Sequence, residues 1–135
     1  MTNHLFDAIK ASARNDAPFI LLNGGRSWTY GEVFDLSGQI ANTIDRLGIS
    51  PGDRVAVQIE KSAEALILYL ACVRSGAVYL PLNTAYTLAE LDYFIGDAQP
   101  RLVVVSSSPR VSSVSSTART SSWRPWRVST LSTPA

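Results

Sequence analysis

Few side chains in this sequence have the types and spacing that catalysis requires. His4 is the only histidine and lies near the N-terminus, so no histidine-based triad or multi-histidine metal site can form. Cys72 is the only cysteine and lies in an apolar run, which favours a small buried hydrophobic residue over a reactive thiol. Neither residue therefore indicates a catalytic centre.

Acidic residues supply the next candidate chemistry. Glu90, Asp92 and Asp97 fall in one predicted helix, but capping explains Glu90, and solvent exposure explains the other two better than paired-carboxylate catalysis does. Glu60 follows an apolar strand, where a phospho-acceptor domain would hold Mg²⁺, yet a solvated acid beside Lys61 is the simpler interpretation. We predict no catalytic residue and no metal site in this chain.

Nucleotide-binding loops of two common types are missing from the sequence. The first parallel strand is followed by Glu60-Lys61-Ser62, not by the glycine-rich turn that brings backbone amides to a dinucleotide pyrophosphate. No G-x-x-x-x-G-K-[ST] loop occurs either. The sequence therefore argues against both classes of nucleotide-binding fold.

Composition fits one globular domain followed by a different segment. The chain has 135 residues, and its longest apolar run, Ala65–Val73, is far shorter than the ~20 residues that span a bilayer. Four of the twelve basic residues and none of the eleven acidic residues lie in 106–135, so residues 1–105 carry a net charge of −3 and no nucleic-acid signature. The N-terminus lacks a signal-peptide pattern, and we expect a cytoplasmic location.

Residues 1–105 alternate helix and strand signals. Capping-box spacing, turn residues and apolar periodicity place the boundaries of these elements. The predicted elements are helices at about 4–13, 30–47, 63–75 and from 88, a hairpin over 19–29, and strands at 55–59, 78–82 and 102–105. Because strands and helices alternate with short connections, the fold class is α/β, with a parallel β-α-β-α-β unit over about 53–105.

The sequence changes character at Ser106. From there to Ala135 it is almost entirely Ser, Thr, Arg, Pro, Trp and Val, without a sustained helix or strand period. We expect residues 106–135 to be a disordered tail, and our hypothesis is that a shifted reading frame or mis-joined gene model produced it. Trp123 and Trp126 could stack on RNA, but scattered arginines without regular repeats argue against that interpretation.

Several segments, in their order and spacing, resemble the N-terminal part of the acyl-adenylate-forming (AMP-binding) synthetase family. They are Trp28–Val33, Gly48–Val55 and Glu64–Val105. Within the family, the segments most similar to malonyl-CoA synthetases are Glu60–Leu66, Leu82–Leu88 and Glu90–Ile95. The resemblance covers Leu5 to about Val105, so we expect residues 1–105 to be an N-terminal portion of an AMP-binding synthetase domain.

The resemblance implies an ATP-dependent acid–CoA ligase of fatty-acid metabolism that works through an acyl-adenylate. It implies ATP, Mg²⁺ and coenzyme A as cofactors and a small carboxylic acid, malonate, as substrate. The family's S-G-T-T-G-x-P-K-G phosphate loop and catalytic lysine have no counterpart here, since Lys10 and Lys61 lie outside any such motif. We therefore expect this chain alone to bind no cofactor and to be inactive.

Asn83, Thr84 and Tyr86 follow a predicted parallel strand, where α/β sheets tend to present ligand-facing residues. These residues are candidates for lying near the substrate in the complete enzyme that the resemblance implies, but a purely structural turn is the simpler interpretation.

A second interpretation of the whole chain is a non-catalytic α/β module that docks on a partner protein. Helix 63–75 is apolar nearly all round, and a sheet of few strands exposes an edge. We therefore expect self-association through exposed core surface.

Overall fold

The computed structural model describes residues 3–106, 118–122 and 126–131. These residues divide into two compact units. The helical unit contains the chain up to Ser50 and the segment Lys61–Gly76. The sheet unit contains Pro51–Glu60 and the described residues from Ala77 onward.

The helical unit begins with a helix and a hairpin. Its elements are α1 (His4–Ser12), β1 (Pro18–Leu21), β2 (Ser27–Thr29), α2 (Tyr30–Arg46) and α3 (Ala63–Ser75). β1 and β2 pair antiparallel, which confirms the predicted hairpin. Gly24 and Gly25 have φ of +92° and +82° at its turn, a conformation that glycine adopts without the steric cost of a Cβ.

The start of α2 has the predicted capping box. The Thr29 hydroxyl accepts a hydrogen bond from the Glu32 N–H at 3.2 Å, and the Glu32 carboxylate accepts one from the Thr29 N–H at 2.8 Å. Val33, Ile40 and Ile44 form a buried stripe along α2, which packs against α3. The local signal and the apolar period thus agree on this helix.

Helix α3 buries most of its apolar residues. Ile67, Ala71 and Cys72 have no exposed surface, whereas Leu66 and Tyr69 are 39% and 37% exposed. Among the large apolar residues of α3, only Leu66 and Tyr69 are therefore exposed, although the sequence shows apolar residues nearly all round this helix. No helix in the described part of the chain is long and apolar enough to cross a membrane.

The sheet unit is built on three parallel strands. Its elements are β3 (Arg54–Gln58), β4 (Val78–Pro81), α4 (Leu88–Ala98), β5 (Leu102–Ser106), β6 (Ala118–Ser122) and β7 (Trp126–Leu131). The strand order is β4-β3-β5-β7-β6, and β3 pairs in parallel with both β4 and β5. The predicted parallel α/β arrangement is confirmed.

One face of this sheet packs against α4. A buried apolar cluster joins Ala56 of β3, Val103 and Val105 of β5, Leu82 and Leu91. Full burial of such aliphatic side chains contributes roughly 1.5–3 kcal/mol each. This cluster holds α4 and the carboxyl ends of the strands in a fixed arrangement.

Two stretches of the tail, Ala118–Ser122 and Trp126–Leu131, form strands in the structure. β7 pairs antiparallel with β5, and β6 pairs antiparallel with β7. The physical reason is that the β5 edge offers backbone N–H and C=O groups that need partners, and a segment with little intrinsic periodicity can still supply them. Residues 107–117, 123–125 and 132–135 lie outside the described residues.

Candidate functional site

The three residues predicted to lie near a substrate form one turn after β4. We call Asn83–Tyr86 the β4 turn. The Asn83 Oδ1 accepts a hydrogen bond from the Ala85 N–H at 2.9 Å, and the Asn83 carbonyl accepts one from the Tyr86 N–H at 3.2 Å. Asn83 and Thr84 are exposed, whereas Tyr86 is half-buried. Asn83 thus shapes the backbone of the turn itself.

Gln58 connects the β4 turn to the neighbouring strand. Its side-chain Nε2 donates to the Asn83 carbonyl at 2.8 Å, although the two residues lie 25 positions apart. Gln58 is 8% exposed and ends β3, so its amide needs a partner within the protein. The sequence analysis did not identify Gln58 as a site residue. The feature that could have indicated it is its position as a polar residue near the end of the apolar run Val55–Ile59.

An aromatic contact fixes the far end of the β4 turn. The Tyr86 ring stacks on Phe94 of α4, with centroids 4.9 Å apart and planes 23° apart. Tyr93 meets the same Phe94 ring edge-on at 5.4 Å. The turn is therefore held by β3 on one side and by α4 on the other, and Thr84 lies exposed between these anchors.

The chemistry available at the β4 turn is hydrogen bonding. Its residues offer amide and hydroxyl groups and contain no carboxylate, imidazole or amine. Such a turn can orient a polar ligand but cannot act as a general acid or base in the way that histidine or a carboxylate does. No group of residues in the described ranges is arranged to hold a metal ion.

Glu90 is engaged in capping α4. Its carboxylate accepts hydrogen bonds from the Thr87 N–H and the Thr87 hydroxyl, both at 2.8 Å. These bonds from the backbone and the side chain of Thr87 lower the pKa of Glu90. A general acid needs the opposite shift, so the capping interpretation of this carboxylate holds.

A second polar cluster lies in the helical unit around Arg74. Arg74 Nη1 donates to the Phe34 carbonyl at 2.6 Å and to the Ser37 hydroxyl at 3.0 Å, and its guanidinium lies 4.4 Å from the centroid of the Phe6 ring. Desolvation lowers the pKa of Arg74, and the charge of Asp35 acts in the opposite direction. This cation joins α1, α2 and α3.

A concavity of about 360 Å³ opens beside Arg74. Asp7, Lys10 and Asp45 contribute charges of both signs to its lining. Because Arg74 already donates to Phe34 and Ser37, its guanidinium serves to join the helices. This concavity is a weaker candidate for a ligand site than the β4 turn.

Replacing Arg74 by alanine is expected to destabilise the protein by about 3 kcal/mol. The variant removes a charged donor from the Phe34 carbonyl and the Ser37 hydroxyl, which keep their mutual hydrogen bond at 3.1 Å. Hydrogen bonds to a charged group contribute about 1.5–3 kcal/mol, and the lost cation–π contact contributes about 0.5–2 kcal/mol. Urea denaturation followed by circular dichroism measures the change in the free energy of unfolding.

Arg54→Ala is the matched control for Arg74→Ala. Arg54 Nη1 also donates to a backbone carbonyl, that of Ala98 at 3.1 Å, but this bond is exposed. We expect a cost of about 1 kcal/mol or less for this control. Equal losses in the two variants would contradict the structural role assigned to Arg74.

The fold and the comparisons with known proteins agree. The family model of the AMP-binding enzymes matches residues 8–129. This range continues past Val105, where we expected the resemblance to end. The chain therefore belongs to the AMP-binding enzyme family.

Among solved structures, this chain is similar to MatB from Rhodopseudomonas palustris. The identity is 50% and the TM-score 0.69, over 82% of this chain and 22% of the MatB chain. The same values hold for the ATP-bound form of MatB. The described residues thus match an N-terminal part of an adenylate-forming enzyme.

Two curated relatives show the range of the family. Tyrocidine synthase 3 from Brevibacillus parabrevis is 33% identical over 104 residues, which are 76% of this chain and 2% of that protein. Oxalate–CoA ligase from Arabidopsis thaliana is 32% identical over 92 residues, 67% of this chain and 18% of that protein. The chain spans a small fraction of the length of the relatives it matches.

Proposed function

We propose that this chain is the N-terminal part of an ATP-dependent, AMP-forming acid–CoA ligase that acts on malonate. The observation that carries the proposal is the 50% identity to MatB, a malonyl-CoA synthetase, over 82% of the chain. Two further observations support it: MatB has been crystallised with ATP, and a curated relative is named for the ligation of oxalate, another short dicarboxylate. The enzyme would supply an acyl-CoA to fatty-acid metabolism in the cytoplasm.

The proposed reaction has two steps. The acid carboxylate attacks the α-phosphate of ATP, which forms the acyl-adenylate and releases pyrophosphate; the thiol of coenzyme A then attacks the acyl carbon and releases AMP. Mg²⁺ would supply charge stabilisation to the phosphates in the complete enzyme. The described residues offer neither a ligand set for this ion nor a lysine in a phosphate-binding motif, so we assign them a supporting role.

Within this reaction we propose that the β4 turn lies near the bound substrate. Its support is the position of Asn83, Thr84 and Tyr86 after a parallel strand, at the sheet edge where ligands of α/β folds commonly bind. Thr84 is the best placed of the three for contact with a ligand, because it is exposed and the neighbouring residues already hold the turn.

The direct test is a chimera in which the matching portion of R. palustris MatB is replaced by residues 8–105 of this chain. Formation of malonyl-CoA by this chimera would support the proposal. A folded chimera that activates no acid, beside an active MatB host, would argue for a non-catalytic module instead.

Thr84→Val in the same chimera is expected to raise KM for malonate without lowering the melting temperature. Valine keeps the size of threonine and removes a hydroxyl that contributes about 0.5–1.5 kcal/mol, which corresponds to a change of about twofold to twelvefold in KM. Thr43→Val is the matched control, since its hydroxyl donates to the Gln39 carbonyl within α2. If the two variants have the same KM for malonate, the β4 turn does not contact the substrate.

A further inference from the structure

The edge of β5 is occupied by later strands of the same chain. β7 pairs with β5 over five residue pairs, from Leu102 opposite Thr130 to Ser106 opposite Trp126. β6 pairs with the other side of β7 over five more residue pairs. On this side the sheet therefore ends at β6 and not at β5.

β5 and β6 differ in their tendency to pair with strands of other molecules. β5 has the sequence Leu-Val-Val-Val-Ser, which is uncharged, free of proline and rich in β-branched residues. Segments of this kind pair readily with identical strands of other molecules. β6 has the sequence Ala-Arg-Thr-Ser-Ser, with one charged residue and no large apolar residue. A polar, charged edge strand resists such pairing.

The opposite edge of the sheet has a different protection. β4 is only four residues long and ends at Pro81, which has no backbone N–H to donate. Short strands and prolines are common means by which proteins prevent pairing between sheet edges. Without a neighbouring strand, the free edge of β5 would therefore be the edge most prone to pair with another molecule.

We propose that residues 118–131 act as an intramolecular edge cap that prevents β5 of one copy from pairing with β5 of a second copy. The second copy is the competing occupant because two identical Leu-Val-Val-Val-Ser segments can align antiparallel with valines opposite valines. The proposal does not depend on the ligase function, since it concerns only the association state of the chain.

The first test uses prolines in the full-length chain. Val128 and Ser129 lie opposite Val104 and Val103 in the register of β7 with β5. The variant V128P/S129P removes two N–H donors from the centre of β7. Its matched control is V111P/S112P, which makes the same change in another Val-Ser pair between β5 and β6.

Sedimentation velocity and amide hydrogen exchange are the readouts. We expect V128P/S129P to form dimers and larger species at concentrations where the unmodified chain and V111P/S112P associate much less. Early in V128P/S129P association, alternate β5 amides, those directed toward β7, should lose protection while the amides of α2 keep it. Equal monomer fractions in the two proline variants would overturn the proposal.

A second variant tests the edge cap if V128P/S129P unfolds as a whole. Arg119→Leu leaves both strand pairings available and makes the outer edge strand more apolar. Its control, Arg110→Leu, removes the same charge outside the described strands. Greater association of Arg119→Leu than of Arg110→Leu supports the edge cap, and equal association of the two refutes it.

Discussion

The chimera of R. palustris MatB carrying residues 8–105 of this chain is expected to form malonyl-CoA with a kcat/KM within about tenfold of the unmodified host, a difference of about 1.4 kcal/mol. The physical reason is that, under the proposed function, the exchanged portion supports the site and the reacting groups come from the host. At 50% identity and with the fold shared, substitutions should shift the site only slightly. Release of pyrophosphate and formation of acyl-CoA measure the activity.

Comparing several acids shows whether the chimera keeps the substrate preference of the host. Malonate, oxalate and benzoate should be compared in the chimera and in the host. We expect the preference among them to stay as in the host, because the groups that react are retained from it. A host-like fold with activity reduced by more than about a thousandfold, or about 4 kcal/mol, would contradict the supporting role assigned to this part of the chain.

The Cys72 thiol is expected to react about a thousandfold more slowly in the folded protein than in the unfolded one. Cys72 has no exposed surface, and its burial raises the pKa of the thiol from 9.0 to about 12. Because the thiolate is the reactive form, its fraction at pH 8 falls by about three orders of magnitude. The rate of reaction with a chromogenic disulfide at pH 8, with and without urea, measures the effect.

An exposed thiol provides the control for this measurement. Thr84→Cys in a Cys72→Ala background places the only cysteine on the exposed β4 turn. This variant should react at nearly the same rate with and without urea. If Cys72 in the folded protein reacts as fast as a cysteine introduced at position 84, then Cys72 is not buried as described above.

The same shift predicts a dependence of stability on pH. The folded-state pKa of Cys72 lies above its unfolded value, so the associated stability is complete below about pH 9 and is lost as the pH rises toward 12. Replacing Cys72 by alanine should flatten this part of the stability curve. Urea midpoints between pH 8 and 11 for both proteins provide the comparison.

Local signals made much of the fold predictable from the sequence. Capping and termination depend on residues a few positions apart, so Thr29 with Glu32 and Thr87 with Glu90 marked helix starts correctly. Gly76 likewise ends α3 in the left-handed conformation, with φ of 76°. α4 ends just before Pro100, as a proline at that position predicts, and Gln99, a non-glycine residue, takes the left-handed conformation there with φ of 45°.

Contacts between distant residues were not predictable in the same way. The bond from Gln58 to Asn83 and the bond from Arg74 to Phe34 join residues 25 and 40 positions apart. Neither bond corresponds to a periodic pattern in the sequence, because each depends on how separate elements pack. The pairing of β7 with β5 is of the same kind, since a strand edge selects its partner by geometry and not by a repeated pattern.

The central claim is that this chain supports an adenylating site without containing its reacting groups. Malonate-dependent exchange between ATP and labelled pyrophosphate, measured with the purified chain alone and with the MatB chimera, tests it most directly. We predict no exchange above the protein-free rate for the chain alone and clear exchange for the chimera. Malonate-dependent exchange by the chain alone would contradict the account.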